Sequence, residues 1–401
     1  MSDLLADTNV ALGVSGSIAA VKVVELAHEL RRHGASVRGV MTDAAAGIVH
    51  PWAVEFATEN DVVTEITGGV EHVDLCGRDG WADVLLLAPA TANTVGKVAA
   101  AIDDTPVTTC ATTALGADVP VVCAPAMHEP MYDHPGVLEA IDRVESWGVE
   151  FVDPRIEEGK AKIATEEAIV TATARAAGDR PLAGERVVVT SGPTSEPIDT
   201  VRVLTNRASG RTGRAVARAL VARGADVTLL HDASAAGGGD GGESGDVPYA
   251  EVVDVETAAE MTEAALAACS DADALISAAA ISDYTVEPAE EKIRSGSESL
   301  TLELSPTPKL LDTVREEYPN LALVGFKAES EGDDDALVSR ARSTLDRADL
   351  AFVVANDASV MGAAETRALV VRADTVGEFS GSKLGLGLVV ADELGATLGA
   401  T

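Results

Sequence analysis

The chain has 401 residues and a formal net charge of −35, with 65 acidic against 30 basic side chains. A surface this acidic repels nucleic acids and anionic membranes, so both are excluded as expected partners. Hydrophobic residues make up 46% of the chain, enough for two or three globular domains. It shows no apolar run of membrane-spanning length and no signal peptide, so we expect a soluble cytoplasmic protein, and its acidity suits a halophilic source.

The first part of the chain alternates predicted strands with predicted helices. Strands are expected at 10–14, 36–42, 84–88, 105–110 and 119–124, and helices at 19–33, 92–101 and 136–147. Strands that alternate with helices predict a doubly wound parallel sheet. Cys110 and Cys123 fall in buried-strand patterns and no cysteine has metal-ligand spacing, so the four cysteines are interpreted as structural thiols.

A second series of elements begins after the pattern breaks over residues 172–184, which places a domain boundary between residues 178 and 179. The segment 237–246 is rich in Gly, Asp and Ser and is predicted as a solvated loop. Strands are expected at 186–190, 227–231, 274–278, 322–326 and 351–355, an edge strand at 369–372, and helices at 212–223 and 385–398. The chain therefore predicts an α/β fold of two doubly wound, Rossmann-like parallel-sheet domains in tandem, the first of them flavodoxin-like.

The loop GVSGSIAA joins the first predicted strand to the first predicted helix. Gly16 permits close backbone approach, Ser15 and Ser17 offer hydrogen-bond donors, and a helix N-terminus favours a phosphate. The loop is not GxGxxG and no acidic residue marks a ribose, so a mononucleotide such as FMN is favoured over NAD. In APATANT, after a later strand, Thr91 and Asn93 either bind the edge of a flavin or cap the next helix.

The segment PAMHEPMY follows another predicted strand directly. Its two prolines fix φ and remove backbone donors, so they hold His128 just past the carboxyl end of that strand. Ligands bind at this edge in open α/β sheets, so the segment is either a ligand-site wall or an ordinary X-Pro turn. His72, in EHVDL, is either a structural histidine or a general base with a pKa near neutrality.

These four motifs occur in the order and spacing of the homo-oligomeric flavin-dependent cysteine decarboxylases, which residues 8–175 resemble. More closely, the region resembles the phosphopantothenoylcysteine decarboxylase half of the bifunctional coenzyme A biosynthesis family. The resemblance implies FMN bound by these segments and by Thr42, with His72 as the catalytic base. In that chemistry the flavin oxidises the cysteinyl thiol to a thioaldehyde, carbon dioxide leaves, and a returned hydride completes 4′-phosphopantetheine.

The chain departs from the bacterial members of that family at two positions. His128 stands where they have an Asn that helps to bind the substrate carboxylate, and the flap segment EEGKAKIA lacks the cysteine that serves them as proton donor. Lys160, Lys162 and His128 are therefore the candidate proton donors. The two lysines also suit a substrate that carries a phosphate.

The second predicted domain carries a different set of motifs. Ser209, Gly210 and Gly213 open a helix in a turn that is either a phosphate cradle or a tightly packed cap, and the turn is not a Walker A loop. Asp283, at a predicted strand end, suits a metal or a ribose contact. Lys292 suits negative charge that develops during nucleotidyl transfer, or an ordinary surface salt bridge.

Over residues 184–400 this ordered set resembles the phosphopantothenate–cysteine ligase half of the same family. The resemblance implies that CTP and Mg2+ convert 4′-phosphopantothenate to an acyl-cytidylate, which the amine of cysteine attacks with release of CMP. Asn206 would assist the acyl-cytidylate step, Lys292 the nucleotide step, and Asp283 would also bind the metal. The implied CTP contacts are Asp283, Thr307, Pro308, Lys309, Leu310 and Phe326.

Some features of the ligase half leave alternatives open. Two lysines that bind the triphosphate in bacterial forms have no match near Thr344; Arg342 and Arg347 are the candidate replacements, and ATP stays an alternative to CTP. Lys383 is expected on a mobile loop near the phosphopantothenate. Flavin sites of this family lie at subunit contacts, which implies a homo-oligomer of trimers, up to a dodecamer. The alternative functions are another flavin-dependent cysteine decarboxylase and a non-catalytic flavin-binding regulatory subunit.

Overall fold

The computed structural model describes residues 4–157, 159–232, 247–294, 299–329, 333–357 and 365–399, so the predicted loop at 237–246 lies outside the described residues. The chain divides into two compact units, residues 1–179 and 180–401, and each is described by itself. In the described ranges, no helix combines the length and the apolar character that crossing a membrane requires.

The first unit is built on a parallel sheet whose strands lie in the order β2-β1-β3-β4-β6. Its five strands are β1 (Asn9–Val14), β2 (Ser36–Met41), β3 (Val84–Ala90), β4 (Val121–Pro125) and β6 (Glu150–Phe151). Every residue of β3 is buried, as expected for a central parallel strand covered on both faces. This is the flavodoxin-like order, whose topological switch point lies between β1 and β3.

Helices connect these strands, and a 3-10 turn (Ile18–Lys22) precedes the first of them. They are α1 (Val23–Arg32), α2 (Asp43–Ala46), α3 (Pro51–Thr58), α4 (Glu71–Cys76), α5 (Ala92–Ala99), α6 (Pro106–Ala117), α7 (Glu129–Tyr132), α8 (Pro135–Glu145) and α9 (Glu166–Ala177). Three short strands outside the main sheet are β5 (Met127–His128), β7 (Arg155–Glu157) and β8 (Lys160–Lys162).

The strand predicted at 105–110 is wrong, because these residues begin helix α6. The Thr105 hydroxyl accepts the N–H of Thr108 at 3.2 Å, and the Thr108 hydroxyl accepts the N–H of Thr105 at 3.1 Å. Pro106 occupies the first helical position, where its missing N–H costs nothing. This capping box outweighs the β-branched composition of the segment, and Cys110 is buried in a helix.

The second unit contains an eight-stranded sheet in the order β13-β12-β9-β14-β17-β18-β19-β20. Its strands are β9 (Arg186–Ser191), β12 (Asp226–His231), β13 (Glu251–Asp254), β14 (Ala274–Ser277), β17 (Ala322–Glu329), β18 (Phe352–Asp357), β19 (Glu365–Val371) and β20 (Val376–Ser382). The first six are parallel in the Rossmann order 3-2-1-4-5-6, with the switch point between β9 and β14. Both units thus confirm the predicted fold class.

The edge of this sheet differs from the prediction for 369–372. Strand β19 pairs antiparallel with β18 on one side and β20 on the other, so β20 forms the edge. The Arg372 N–H donates to the Thr375 carbonyl at 2.9 Å and closes the turn between the two strands. The missed strand β20 is mostly exposed and lacks the apolar run by which the other strands were predicted.

The remaining elements of the second unit are helices and two short antiparallel ribbons. The helices are α10 (Arg211–Ala222), α11 (Ala258–Ala268), α12 (Leu310–Glu317), α13 (Asp334–Ala348) and α14 (Lys383–Leu398), with a 3-10 turn at Cys269–Asp271. The ribbons pair β10 (Ser195–Pro197) with β11 (Val203–Thr205) and β15 (Tyr284–Val286) with β16 (Leu304–Pro306).

The buried side chains of β3 should dominate the stability of the first unit. Leu86 has no exposed surface, so Leu86→Ala is expected to lower the free energy of unfolding by about 2–5 kcal/mol. Leu138, on α8, is 40% exposed, and the control Leu138→Ala should cost much less. All three tryptophans (Trp52, Trp81 and Trp147) lie in this unit, so their fluorescence during urea unfolding measures it. Equal losses in both variants would contradict this placement of the core.

Candidate functional sites

A cavity of about 640 Å³ opens at the carboxyl edge of the first sheet, within the usual size range of small-molecule sites. Its walls come from the loop after β1, the start of α5, the segment after β4 and strands β7 and β8. Six of the predicted site residues line it: Gly16, Ser17, Thr91, His128, Lys160 and Lys162. Four Lys or Arg side chains line it, and none of the described lining residues is an Asp or a Glu, so an anionic ligand is favoured.

Ser15 ties together the loops that follow β1 and β3. Its hydroxyl donates to the Pro89 carbonyl at 2.7 Å and accepts the N–H of Thr91 at 3.0 Å. Its own N–H donates to the Pro89 carbonyl at 3.2 Å. Ser15 is buried and does not line the cavity, so in this structure it fixes the position of the two loops.

The loop after β1 offers hydrogen-bond donors to a phosphate. The N–H groups of Gly16 and Ile18 have no acceptor among the described residues, and both residues line the cavity. Ser17 caps the 3-10 turn, since its hydroxyl accepts the Ala19 N–H at 3.4 Å. A side chain at Gly16 would overlap the Cβ of Ala44, so only glycine fits. Free N–H groups at the start of a helical turn fit the phosphate of a mononucleotide.

Thr91 and Thr42 are both helix caps. The Thr91 hydroxyl accepts the N–H of Thr94 at 3.2 Å, and the Thr42 hydroxyl accepts the N–H of Ala45 at 3.2 Å. Thr91 also lines the cavity, so its two predicted roles are compatible. Thr42 and the exposed Asn93 do not line it.

A small antiparallel sheet, β5-β8-β7, forms the basic wall of the cavity. Its register places His128 opposite Lys160 and Arg155 opposite Lys162. The Glu157 carboxylate accepts hydrogen bonds from Lys162 Nζ at 2.8 Å and from Arg155 Nη1 at 3.2 Å. The bond from Lys162, followed by the charge of Arg155, lowers the pKa of Glu157 and keeps it ionised. Glu157 therefore holds two cations in place at the cavity wall.

Arg155 lines the cavity, and the sequence analysis missed it. Its Nε is buried and has no hydrogen-bond partner among the described residues. The signal in the sequence was a hairpin pattern, in which the triplets RIE and KAK flank Gly159, a residue with φ of +70°. A hairpin places alternate side chains on one face, which would have added Arg155 to the lysines.

His72 lies outside the lining of this cavity, on helix α4. The side chain is half-buried, and its Nδ1 atom is buried with no hydrogen-bond partner among the described residues. Buried polar atoms are nearly always paired in folded proteins. The Nδ1 atom of His72 is therefore available to a hydrogen-bond partner from outside the described residues.

The second site lies at the switch point between β9 and β14, where two loops bind each other. The Thr194 N–H donates to the Ala280 carbonyl at 3.3 Å, and the Ala280 N–H donates to the Gly192 carbonyl at 2.8 Å. The Ser282 N–H donates to the Thr194 hydroxyl at 2.9 Å. These bonds fix the predicted ligase motifs on either side of one crevice.

Asn206 belongs to this crevice, and its carboxamide is bonded at both ends. Its Nδ2 donates to a carbonyl of the loop after β14 at 2.6 Å, and its Oδ1 accepts the Ala208 N–H at 3.0 Å. Gly210, with φ of +68°, then leads into α10. A Cβ at Gly213 would lie 2.5 Å from the hydroxyl of Ser191, so this glycine allows α10 to pack against the end of β9.

His231, which the sequence analysis missed, supports the turn that precedes α10. It is buried at the end of β12, and its Nε2 lies 3.1 Å from Arg214 Nη1. Arg214 also donates to the Ser209 carbonyl at 3.3 Å. Burial, and then the charge of Arg214, lower the pKa of His231, so the imidazole is neutral at pH 7. A Cβ at Gly210 would lie 2.7 Å from the imidazole, which shows how closely this turn packs.

Three of the predicted nucleotide contacts, Asp283, Thr307 and Lys309, are bonded to one another. Asp283 pairs with Lys309, and the Thr307 N–H donates to the Asp283 carbonyl at 3.0 Å. No group of three His, Cys, Asp or Glu side chains in the described parts of the chain could hold a metal. The other predicted contacts lie just before or at the start of α12 and on β17: Pro308, Leu310 and Phe326.

The three other basic residues that the sequence suggested as nucleotide contacts, Lys292, Arg342 and Arg347, occupy different environments. Lys292 is exposed after β15. Arg347 pairs with Asp312 of α12, whereas Arg342 is exposed on α13. None of these contacts distinguishes CTP from ATP.

Lys383 is not on a mobile loop, so that prediction is wrong. It is the first residue of α14, and the Ser382 hydroxyl caps the helix by accepting the Gly385 N–H at 3.0 Å. Burial, and then the nearby charge of Arg211, lower the pKa of Lys383. The final helix, predicted to begin at residue 385, begins two residues earlier because Ser382, a preferred type of helix cap, precedes Lys383.

Comparison with known proteins defines the class of this chain. Residues 2–178 match the family model described as Flavoprotein, and residues 182–393 match the DNA/pantothenate metabolism flavoprotein C-terminal domain. The chain therefore consists of a flavoprotein domain followed by the C-terminal domain that is typical of DNA/pantothenate metabolism flavoproteins.

The relatives narrow this class to a family. A coenzyme A biosynthesis bifunctional protein CoaBC from Thermococcus kodakarensis is 47% identical over 376 residues, covering 92% of this chain and 90% of its own. The protein of the same name from Bacillus subtilis is 35% identical, covering 90% and 88%. A cysteine/cysteine sulfinic acid decarboxylase from an unidentified prokaryote is 37% identical, covering 73% and 80%. The chain belongs to the family of bifunctional coenzyme A biosynthesis proteins.

The Ser15 bridge should control how well the first site holds its ligand. Ser15→Ala removes an acceptor from the buried Thr91 N–H and a donor from the Pro89 carbonyl, so we expect the free energy of unfolding to fall by about 1–3 kcal/mol. The variant should also retain less bound flavin after gel filtration, measured by absorbance. Ser146→Ala, at an exposed position, is the control. Unchanged stability and flavin content in Ser15→Ala would contradict the bridging role.

Proposed function

We propose that this chain makes 4′-phosphopantetheine from 4′-phosphopantothenate, cysteine and CTP in two successive reactions. The second unit would join cysteine to 4′-phosphopantothenate, and the first would decarboxylate the phosphopantothenoylcysteine that results. The observation that carries the proposal is a cavity lined by four Lys or Arg side chains and by two residues with free backbone N–H groups, in a chain whose second unit holds Asn206 in its switch-point crevice. The CoaBC relatives, which span about nine-tenths of the chain, support the pairing of the two activities.

In the ligase reaction, a carboxylate must first become a good acyl donor. The carboxylate oxygen of phosphopantothenate attacks the α-phosphorus of CTP, and pyrophosphate leaves. Lys292 would stabilise the negative charge that develops at the phosphate, with Mg2+ held by the nucleotide and Asp283. The amine of cysteine then attacks the acyl carbon, CMP leaves, and Asn206 would orient the acyl-cytidylate. These roles follow the resemblance of the motifs to the ligase family.

In the decarboxylation, bound FMN supplies the oxidation of the cysteinyl thiol and the later return of a hydride. The chain's own residues bind and orient. The free N–H groups of Gly16 and Ile18 would hold the flavin phosphate, and Lys160 and Lys162 would bind the anionic substrate. His128 is the favoured proton donor among the three candidates, because it lines the cavity beside the two lysines, which are assigned to substrate binding.

The position of His72 bears on oligomeric state. His72 would be the catalytic base, yet it lies outside the lining of its own unit's cavity. In the resembling family the flavin sites lie at subunit contacts, so a neighbouring copy would bring this histidine to the flavin. This supports a homo-oligomer of trimers, up to a dodecamer. We further propose that the protein acts on these small molecules in the cytoplasm.

The overall proposal is tested by supplying purified protein with 4′-phosphopantothenate, cysteine, Mg2+ and either CTP or ATP, in high salt. We expect CTP to give pyrophosphate and an equal amount of carbon dioxide. Pyrophosphate without carbon dioxide would leave only the ligase claim, and no product from either nucleotide would refute the proposal. Carbon dioxide from free cysteine without a nucleotide would instead favour the activity named for the cysteine decarboxylase relative.

Variants of the first unit separate the roles of its residues. His72→Asn should lower carbon dioxide release at least about 100-fold without changing pyrophosphate release.

His128→Asn should allow the first carbon dioxide to leave but reduce the yield of 4′-phosphopantetheine, since the last proton is not delivered. Lys160→Ala/Lys162→Ala should mainly raise KM. If His128→Asn forms 4′-phosphopantetheine normally while the lysine variant does not, a lysine is the donor.

A further inference from the structure

We propose that Asp199 is a positioning residue for Lys292 and holds the segment that carries this lysine in its working position at the second site. Nothing in the sequence analysis assigned a role to Asp199. The inference deepens the proposed ligase function and rests on it, because it presumes that Lys292 acts on the nucleotide.

Asp199 is a buried carboxylate in the loop between β10 and β11. Its side chain has no exposed surface. Its Oδ1 accepts the N–H groups of Val201 and Arg202, each at 2.8 Å, and its Oδ2 accepts the N–H of Ile293 at 3.0 Å. The Arg202 guanidinium pairs with the same Oδ2. A buried carboxylate needs charge pairing and hydrogen bonds, and Asp199 obtains them from three backbone N–H groups and one guanidinium, which it holds in place in turn.

The Ile293 backbone is gripped at both of its polar groups. Its N–H binds Asp199, and its carbonyl accepts Arg202 Nη1 at 3.1 Å. Ile293 directly follows Lys292, so the peptide on the carboxyl side of the lysine is clamped by a buried carboxylate and its guanidinium partner. The clamp joins segments about 90 residues apart in the chain.

The amino side of the lysine segment is also docked on the same loop. The Ala289 N–H donates to the Ile198 carbonyl at 3.0 Å. Lys292 itself is exposed, and its ammonium group has no hydrogen-bond or ion-pair partner among the described residues. The position of the ammonium group therefore depends on the backbone contacts of its neighbours, of which the Asp199 clamp is the nearest in sequence.

Asp199 is ionised at neutral pH. Burial opposes its ionisation, but the N–H bonds from Ile293, Val201 and Arg202, with the Arg202 charge, outweigh burial and lower its pKa to about 2. The carboxylate can accept from every donor around it. An asparagine would have one acceptor oxygen and would turn an NH₂ group towards an N–H or a guanidinium. Asp199→Asn should therefore loosen the clamp with almost no change in volume.

The inference is tested by a double-mutant cycle in the full-length chain. Asp199→Asn should lower kcat for CTP-dependent pyrophosphate release at least about tenfold at saturating substrates, with little change in KM for cysteine. Lys292→Ala should lower it further. In the Lys292→Ala background, Asp199→Asn should cost less than about twofold, because there is no ammonium group left to position. Decarboxylation of supplied phosphopantothenoylcysteine should be unchanged in all three variants.

Two further variants separate positioning from general destabilisation. Asp273→Asn is a control for loss of an Asp-to-backbone hydrogen bond at an exposed position, because Asp273 accepts the N–H of Arg186 at 2.8 Å at the amino end of β9. It should leave pyrophosphate release unchanged. If Asp199→Asn does not fold, as judged by circular dichroism, Arg202→Met replaces it, because it removes the bond to the Ile293 carbonyl. Arg202→Met should lower kcat for pyrophosphate release in the otherwise unaltered chain, but should change it less than about twofold when Lys292 is already alanine.

The outcomes distinguish failure of the inference from failure of the proposed function. Full ligase activity in Asp199→Asn, or a loss that multiplies with that of Lys292→Ala, would overturn the positioning role. Full activity in Lys292→Ala would show that Lys292 does not act on the nucleotide, and the inference would fall with that role. Absence of ligase activity in the unaltered protein would refute the proposed function itself.

Discussion

Both sites depend on the gap that opens between two neighbouring parallel strands whose connections leave towards opposite faces of the sheet. In the first unit this gap lies between β1 and β3, and in the second between β9 and β14. The sheet cannot fill this gap, because the loops that follow the two strands diverge. The backbone N–H groups at the carboxyl edge lose their strand partners there. Each unit then binds the diverging loops to one another: Ser15 does so in the first, and Thr194 and Ala280 in the second.

Charge distinguishes the cavity from the rest of the molecule. The chain as a whole carries a net charge of −35, yet the described cavity lining contains basic side chains and no carboxylate. Salt screens exposed charges over a few ångströms at molar concentration, but it screens partly enclosed charges much less. Glu157 partly offsets this positive charge, but it also orders Arg155 and Lys162 by accepting a hydrogen bond from each. An anionic substrate is thus attracted locally by a protein whose outer surface is acidic.

The sequence predicted most strands of the two main sheets, and five of the helices, because apolar runs and glycine stops are local signals. It failed where a few polar atoms decide the structure: the capping box of Thr105 and Thr108 made a helix of a β-branched segment, and Ser382 placed Lys383 on a helix. Strand β20 was missed because exposed strands lack an apolar run.

The candidate sites were predictable only where motifs are contiguous. Arg155 was missed although the hairpin pattern around Gly159 could have indicated it, whereas His231 was missed because its contact with Arg214 arises from packing, which no local pattern records. The same reason hides Asp199, whose acceptors bind Ile293 from a distant part of the chain.

The most direct measurement of the central claim is a crystal structure of the protein soaked with FMN and CTP. The account predicts the FMN phosphate within hydrogen-bond distance of the Gly16 and Ile18 N–H groups, and the CTP triphosphate beside Lys292 at the β9–β14 switch point. A flavin bound away from the β1 loop, or a nucleotide at the opposite edge of the second sheet, would contradict it.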